Sequence, residues 1–401
     1  MDIGLDRLPS LDRLVARLRG ARVGLLAHPA SVDRRLVHAG EILARLGVVP
    51  RVFFGPEHGY GGEAQDMVGV ESARDAATGA PIVSLYGDTF ASLSPSAEHL
   101  ALCDVLVVDL ADVGSRYYTF VWTALLAVRA AAKAGVHVVL LDRPNPLGTR
   151  EDTTEGNLPE PRFRSFVGLE PVPVRHGLTV GAIVARFARQ DGLVLGPDGA
   201  LTVVACHGDR GGLASTWDRP FVMPSPNMPT FDTALVYPGG CLLEGTNLSE
   251  GRGTTRPFEL FGAPFLDGRA LAKAMTDTSL PGFVARPLTF HPMFQKHAKT
   301  VCGGVQIHVT DAAAFRPYAT YLALIGWARR IAEGAFRWRT EKYEFVDDIP
   351  AIDLLTGSAA YREGLEAGAD PETLARAIAE VPAAWADGRR DAIDALDASH
   401  V

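Results

Sequence analysis

Two short runs constrain this chain more than anything else in it. Residues 104–110 (DVLVVDL) and 136–141 (VHVVLL) are almost unbroken apolar, β-branched segments. A strand that is apolar at every position must be covered on both faces, as a central strand of a parallel sheet is. Between them, residues 119–134 form an alanine-rich stretch of helical length, and Gly135 follows as a natural C′ residue. The unit therefore reads as β-α-β. Further strands are expected at 22–27 (RVGLLA), 49–54 and 81–85, with a helix over 36–46. This alternation predicts an α/β fold: a Rossmann-like, doubly wound, mostly parallel sheet.

After Asp142 the rhythm weakens. Residues 142–176 are rich in Pro, Gly and charge and are expected to run irregularly over the sheet edge. A helix is expected over 179–190 with Thr179 as N-cap, further strands at 201–205 and 233–237, and a rigid proline loop at 223–230 (MPSPNMPT). The last third mixes expected strands (283–290, 304–309) with helices (312–333, 371–380 and one from about 382). Such a mixture suggests a second, smaller α+β ancillary domain. The division expected is 1–225 for the larger domain and 226–401 for the smaller, and 401 residues are enough for both.

Composition excludes several classes. Hydrophobic residues make up 47% and charged residues 21%, which rules out intrinsic disorder. No apolar run approaches the roughly 20 residues of a membrane span. The net charge of -8, with no basic run, argues against a nucleic-acid partner. Four cysteines (Cys103, Cys206, Cys241, Cys302) are too few for a disulfide framework, and none form C-x-x-C. Residues 1–18 lack a basic segment followed by an apolar core, so a cytoplasmic address is expected.

In open α/β sheets, ligands bind beyond the carboxyl ends of the strands. The segments that follow the expected strands carry Glu57, His58, Glu63 and Asp66; then Asp109, Asp112, Arg116, Tyr117 and Tyr118; then Asp142, Arg143 and Asn145; and finally Glu244, Asn247, Glu250, Arg252 and Glu259. Carboxylates, amides, Arg and Tyr with few lysines suit a polyhydroxylated, neutral or weakly anionic molecule such as a sugar. A pair of carboxylates is what glycosidic cleavage needs. Plainer roles compete: Asp109 and Asp112 as helix caps, Arg116 in a structural ion pair, and 142–145 as a rigid turn. No G-x-S-x-G, Walker A or H-E-x-x-H motif occurs, and the eleven His are scattered, so no metal site is expected.

Several blocks are distinctive: GPEHG (55–59), DVGSRYYTF (112–120), LDRPNP (141–146), SFVGLEPVPVRHGLTVG (165–181), PSPNMPT (224–230) and YPGGCLLEGTNLSEGRGTTRPFELFGAP (237–264). KHAKTVCGGVQIHV (296–309) and YEFVDDIPAIDLLTGS (343–358) extend the series. In this order they resemble the exo-β-N-acetylmuramidase family. The resemblance implies a glycoside hydrolase that releases N-acetylmuramic acid from the non-reducing end of peptidoglycan fragments. It also implies a cleft between a Rossmann-like and an ancillary domain, and no nucleotide cofactor. By that resemblance Glu57 is the first catalytic candidate, and Glu250, Glu244 or Asp112 supplies the second carboxylate. Arg116 and Arg252 are candidates for the lactyl carboxylate. Tyr118, His58, Asn145, Asn227 and Asn247 are candidates for hydroxyls and the acetamido group. Ala111 stands where the family usually has Gln. Two rival functions are a non-catalytic muropeptide or amino-sugar binding protein and a nucleotide-dependent sugar-modifying enzyme. Retention, inversion and substrate assistance are left open, as are substrate length and oligomeric state.

Overall fold

The structure is a computed structural model that describes residues 1–62, 73–208 and 211–401. The larger sheet contains β1 (Val23–Ala27), β2 (Val52–Gly55), β3 (Ala73–Arg74), β4 (Pro81–Ser84), β5 (Val105–Asp109), β6 (His137–Leu141) and β7 (Leu201–Val204). Their order across the sheet is β3-β4-β2-β1-β5-β6-β7. Every pairing is parallel except that of β3, which runs antiparallel on the β4 edge. The carboxyl ends of the parallel strands therefore share one edge.

Strand alternation sorts the apolar side chains into two cores. Leu26, Phe54, Leu106, Val108, Val138 and Leu140 belong to the core with helices Phe120–Lys133 and Val180–Gln190. Leu25, Phe53, Val105, Val107, Val139 and Leu141 belong to the other core, with helices Asp12–Arg19 and Ala39–Arg45. Helices on both faces explain why β1, β5 and β6 are buried throughout. Gly135 ends its helix with φ of 70°, and Thr179 caps Val180–Gln190 by accepting the Ala182 amide at 3.2 Å.

One expected strand is a helix. Residues 233–237 lie within Phe231–Gly240, which Thr230 caps. Every residue from Thr233 to Gly240 is buried, so the segment has no polar face to reveal a helical period. Its Thr, Val and Tyr then read as strand. The helix expected from 312 starts instead at Pro317, a residue suited to the first helical turn.

The smaller sheet is antiparallel, with β8 (Leu260–Ala263), β9 (Phe283–Phe290) and β10 (Cys302–Val309) in the order β8-β10-β9. Helix Pro317–Ile331 contributes Tyr318, Tyr321, Leu324 and Ile325 to the same continuous core that covers one face of the larger sheet. The final helix, Trp385–Ser399, packs on Val180–Gln190, where Arg186 and Arg189 meet Asp391. The four cysteines are buried and are not joined in disulfides. Among the described residues, no helix is long and apolar enough to cross a membrane.

Candidate active site

Beyond β2 the chain makes a tight turn that carries Glu57. A Cβ at Gly55 would lie 2.2 Å from the Tyr60 amide nitrogen, so only glycine fits there. The Gly59 amide closes the turn onto the Pro56 carbonyl at 2.9 Å. His58 is held at φ 71°, a conformation that costs a non-glycine residue roughly 1–3 kcal/mol and persists only where its surroundings impose it. Thr119 stands at the start of helix Phe120–Lys133 but makes no side-chain cap. Its hydroxyl instead donates to Glu57 Oε2 at 2.9 Å.

A second layer positions this wall. Burial, helped by the nearby Arg143, lowers the His28 pKa to about 3, so its ring is neutral. His28 Nε2 accepts the Ala111 amide at 3.0 Å, and Nδ1 lies 3.2 Å from the Pro224 carbonyl. One neutral tautomer satisfies both bonds and ties the loop after β5 to the proline loop that bears Ser225 and Asn227.

The other wall comes from the turn Cys241–Gly245 and the loop that follows it. Glu244 accepts from Arg252 Nη2 at 2.5 Å and from the Tyr343 hydroxyl at 2.7 Å. Arg252 Nε is 3.3 Å from Glu250, and Lys296 reaches the other Glu250 oxygen at 2.9 Å. Burial opposes ionisation of Glu250, but Lys296 and Arg252 outweigh it and lower the pKa. Lys296 also donates to the Leu243 and Leu248 carbonyls, fixing the loop.

Between these walls lies a cleft lined by Glu57, His58, Tyr117, Tyr118, Ser225, Asn227, Glu244, Arg252, Tyr343 and Glu344, with Phe120, Val167, Met228 and Phe258 as apolar surface. Its space is about 510 Å³, open mouth included. Burial pushes the Tyr117, Tyr118 and Tyr237 phenols well above their ordinary pKa, so they remain hydrogen-bond donors. Among the described residues, no group of three or more His, Cys, Asp or Glu could hold a metal ion.

Of the residues proposed from sequence, Glu57, His58, Tyr118, Asn227, Glu244 and Arg252 line this cleft. Glu250 sits one layer back, behind Arg252. Asp112 lines a neighbouring crevice beyond β1, β5 and β6, where its carboxylate is 3.1 Å from His176 and accepts the Gly114 amide. Ala111 lines that crevice too, with Arg143, which is ion-paired to buried Asp109.

Three candidates are placed elsewhere. Arg116 is wholly buried and donates to the carbonyls of Asn157 at 2.6 Å, Val172 at 3.0 Å and Leu355 at 3.0 Å. It braces segments distant in sequence. Asn145 bonds the Leu178 carbonyl and the Leu147 amide, and Asn247 bonds the Ala335 carbonyl and the Arg337 amide. Both serve loop geometry. Glu63 and Asp66 lie outside the described residues. Thr119, Ser225, Tyr343 and Glu344 line the cleft without having been singled out. The last two fall in the distinctive 343–358 block.

Comparison with known proteins gives the family. The family model described as exo-beta-N-acetylmuramidase NamZ, N-terminal, matches residues 23–232, and its C-terminal companion matches 235–393. The peptidoglycan beta-N-acetylmuramidase NamZ of Bacillus subtilis (strain 168) is 39% identical over 373 residues, covering 92% of this chain and 86% of that protein. A crystal structure of a DUF1343 family protein from Bacteroides fragilis NCTC 9343 superposes with a TM-score of 0.83 at 28% identity, covering 98% of this chain and 97% of that one. A second from the same organism gives 0.72 at 24% identity over 99% and 98%, and speaks to the fold alone. With both halves matched in order along one continuous chain, this protein belongs to the exo-β-N-acetylmuramidase NamZ family.

Proposed function

We propose that the chain is a glycoside hydrolase that removes a terminal N-acetylmuramoyl residue from the non-reducing end of peptidoglycan fragments. The observation that carries this reading is Glu57. It lies in a tight turn at the strand edge, held by Thr119, in a cleft of phenols, an amide and one guanidinium, in a chain 39% identical to a named muramidase.

In this reading Glu57 gives its proton to the glycosidic oxygen as the bond to the anomeric carbon breaks. The Thr119 hydroxyl fixes the carboxyl orientation. Arg252, already anchored by Glu244 and Glu250, meets the lactyl carboxylate through charge-assisted hydrogen bonds. Tyr118, His58 and Asn227 meet hydroxyls and the acetamido group, while Val167, Met228 and Phe258 offer apolar contact to methyl groups.

The test is incubation with a disaccharide that carries N-acetylmuramic acid at its non-reducing end, with mass spectrometry of the products. Free N-acetylmuramic acid is the expected outcome. Saturable binding without release would instead make the protein a receptor for such sugars. The proposed cytoplasmic residence is tested by fractionation of the native host.

A further inference from the structure

One carboxylate in the cleft has so far been given no role. Glu344 lines it and is 4% exposed. It sits in a two-residue turn between Tyr343 and Val346, whose amides each donate to the other's carbonyl, at 2.8 and 3.0 Å. Both central residues have positive φ, 45° at Glu344 and 71° at Phe345. That geometry normally selects Asn-Gly. Glu and Phe adopt it only where packing compels them.

The packing is visible. The Phe345 ring lies 5.8 Å from Tyr86, 6.3 Å from Phe90 and 6.3 Å from Phe166, edge-on to each. All three rings belong to the half that contains the larger sheet. The Tyr86 hydroxyl lies 3.3 and 3.4 Å from the two Glu344 oxygens. A turn from late in the chain is thus plugged into the first half by Phe345, and the plug delivers Glu344 to the cleft that holds Glu57.

We propose that Glu344 is the second carboxylate of the hydrolysis, an inference that rests on the muramidase reading. The other acids near the cleft have structural work: Glu244 serves Arg252 and Tyr343, Glu250 lies between Arg252 and Lys296, and Asp112 faces His176 in the next crevice. In the proposed step, ionised Glu344 takes a proton from the attacking water as the water oxygen bonds to the anomeric carbon. Glu57 gives a proton to the leaving oxygen as the old bond breaks. One proton is gained and one lost, and exchange with solvent restores both groups. Phe345 and Tyr86 are positioning residues that hold the carboxylate in place.

The experiment uses the full chain and a chromogenic β-muramide. Glu344→Gln should lower kcat at least about 100-fold with KM little changed, and should remove the acidic limb of the pH profile. Glu344→Ala should recover turnover with sodium azide, giving the α-glycosyl azide, because azide needs no base. Melting temperatures near wild type certify folding, and the isosteric Gln variant carries the test should the Ala variant not fold. A folded Glu344→Gln with kcat within about fivefold of wild type and an unchanged pH profile overturns the assignment. So does a β-configured product seen first in the wild-type reaction. If Glu57→Gln is inactive while Glu344→Gln is not, the muramidase reading survives and only Glu344 fails. If the wild-type protein releases no muramic acid, both readings fall.

Discussion

The two walls of the cleft hold their carboxylates by opposite means. On the sheet side, Glu57 is held by a neutral hydroxyl, and the layer behind it is a neutral histidine bonded to an amide and a carbonyl. On the loop side, acids and bases alternate from Glu244 through Arg252 and Glu250 to Lys296. A carboxylate fixed by neutral donors remains able to exchange a proton with a ligand. A carboxylate between cations is kept ionised and serves to anchor a guanidinium. On the proposed muramidase reading, this contrast suits the first wall to protonating the leaving oxygen and the second to anion recognition.

The sharpest way to break this contrast is Glu57→Gln, which should cost about 10²–10⁴-fold in kcat on a muramide with the melting temperature nearly unchanged. A comparable loss from Glu250→Gln at unchanged stability would reverse the roles of the walls. Next in size, Arg252→Met removes the guanidinium shared by two buried carboxylates and should destabilise the fold by about 3–5 kcal/mol in urea denaturation, besides raising KM.

Acid should separate the walls by pH. The His28 pKa is lower in the folded protein than in the unfolded chain, so the unfolded chain binds the extra proton first. Its contribution to stability is present above the ordinary histidine pKa and is lost as the pH falls toward about 3. Glu250 also has a lowered pKa, so its contribution is present above the ordinary glutamate pKa and is lost as the pH falls from there through the lowered value, a window that opens at lower pH than that of His28. Denaturation series should therefore show His28→Gln flattening the slope from mildly acidic pH downward. Lys296→Met should cost about 2 kcal/mol at neutral pH and progressively less in acid. The smallest effect expected is Thr119→Val, about 1 kcal/mol or several-fold in kcat, through loss of the hydroxyl that donates to Glu57.

The central strands were legible because burial on both faces leaves an unmistakable apolar run, as at Val105–Asp109 and His137–Leu141. The same total burial hid the helix Phe231–Gly240, since a segment without a wet face shows no period. The site was legible in part. Glu57 and the Glu244–Arg252 block stand in dense polar, glycine-rich segments. Density does not reveal direction, however: Arg116 and Tyr118 are two residues apart, yet one reaches backbone carbonyls across the molecule and the other faces the cleft. Glu344 escaped because its turn contains neither Gly nor Asn; the packing of Phe345, which no local pattern records, creates the geometry.

The closing helix also bears on biosynthesis. Ala392, Ala395 and Leu396 complete the core beneath β7, His400 bridges to Val203, and the Val401 carbonyl receives Arg7 at 3.0 Å. A ribosome makes the larger sheet early but delivers this covering helix only after the smaller sheet and its helices have been made. Until that helix emerges, the nascent chain must carry an exposed apolar face at that edge, so its exposure to chaperones is set by how long the intervening segments take to translate.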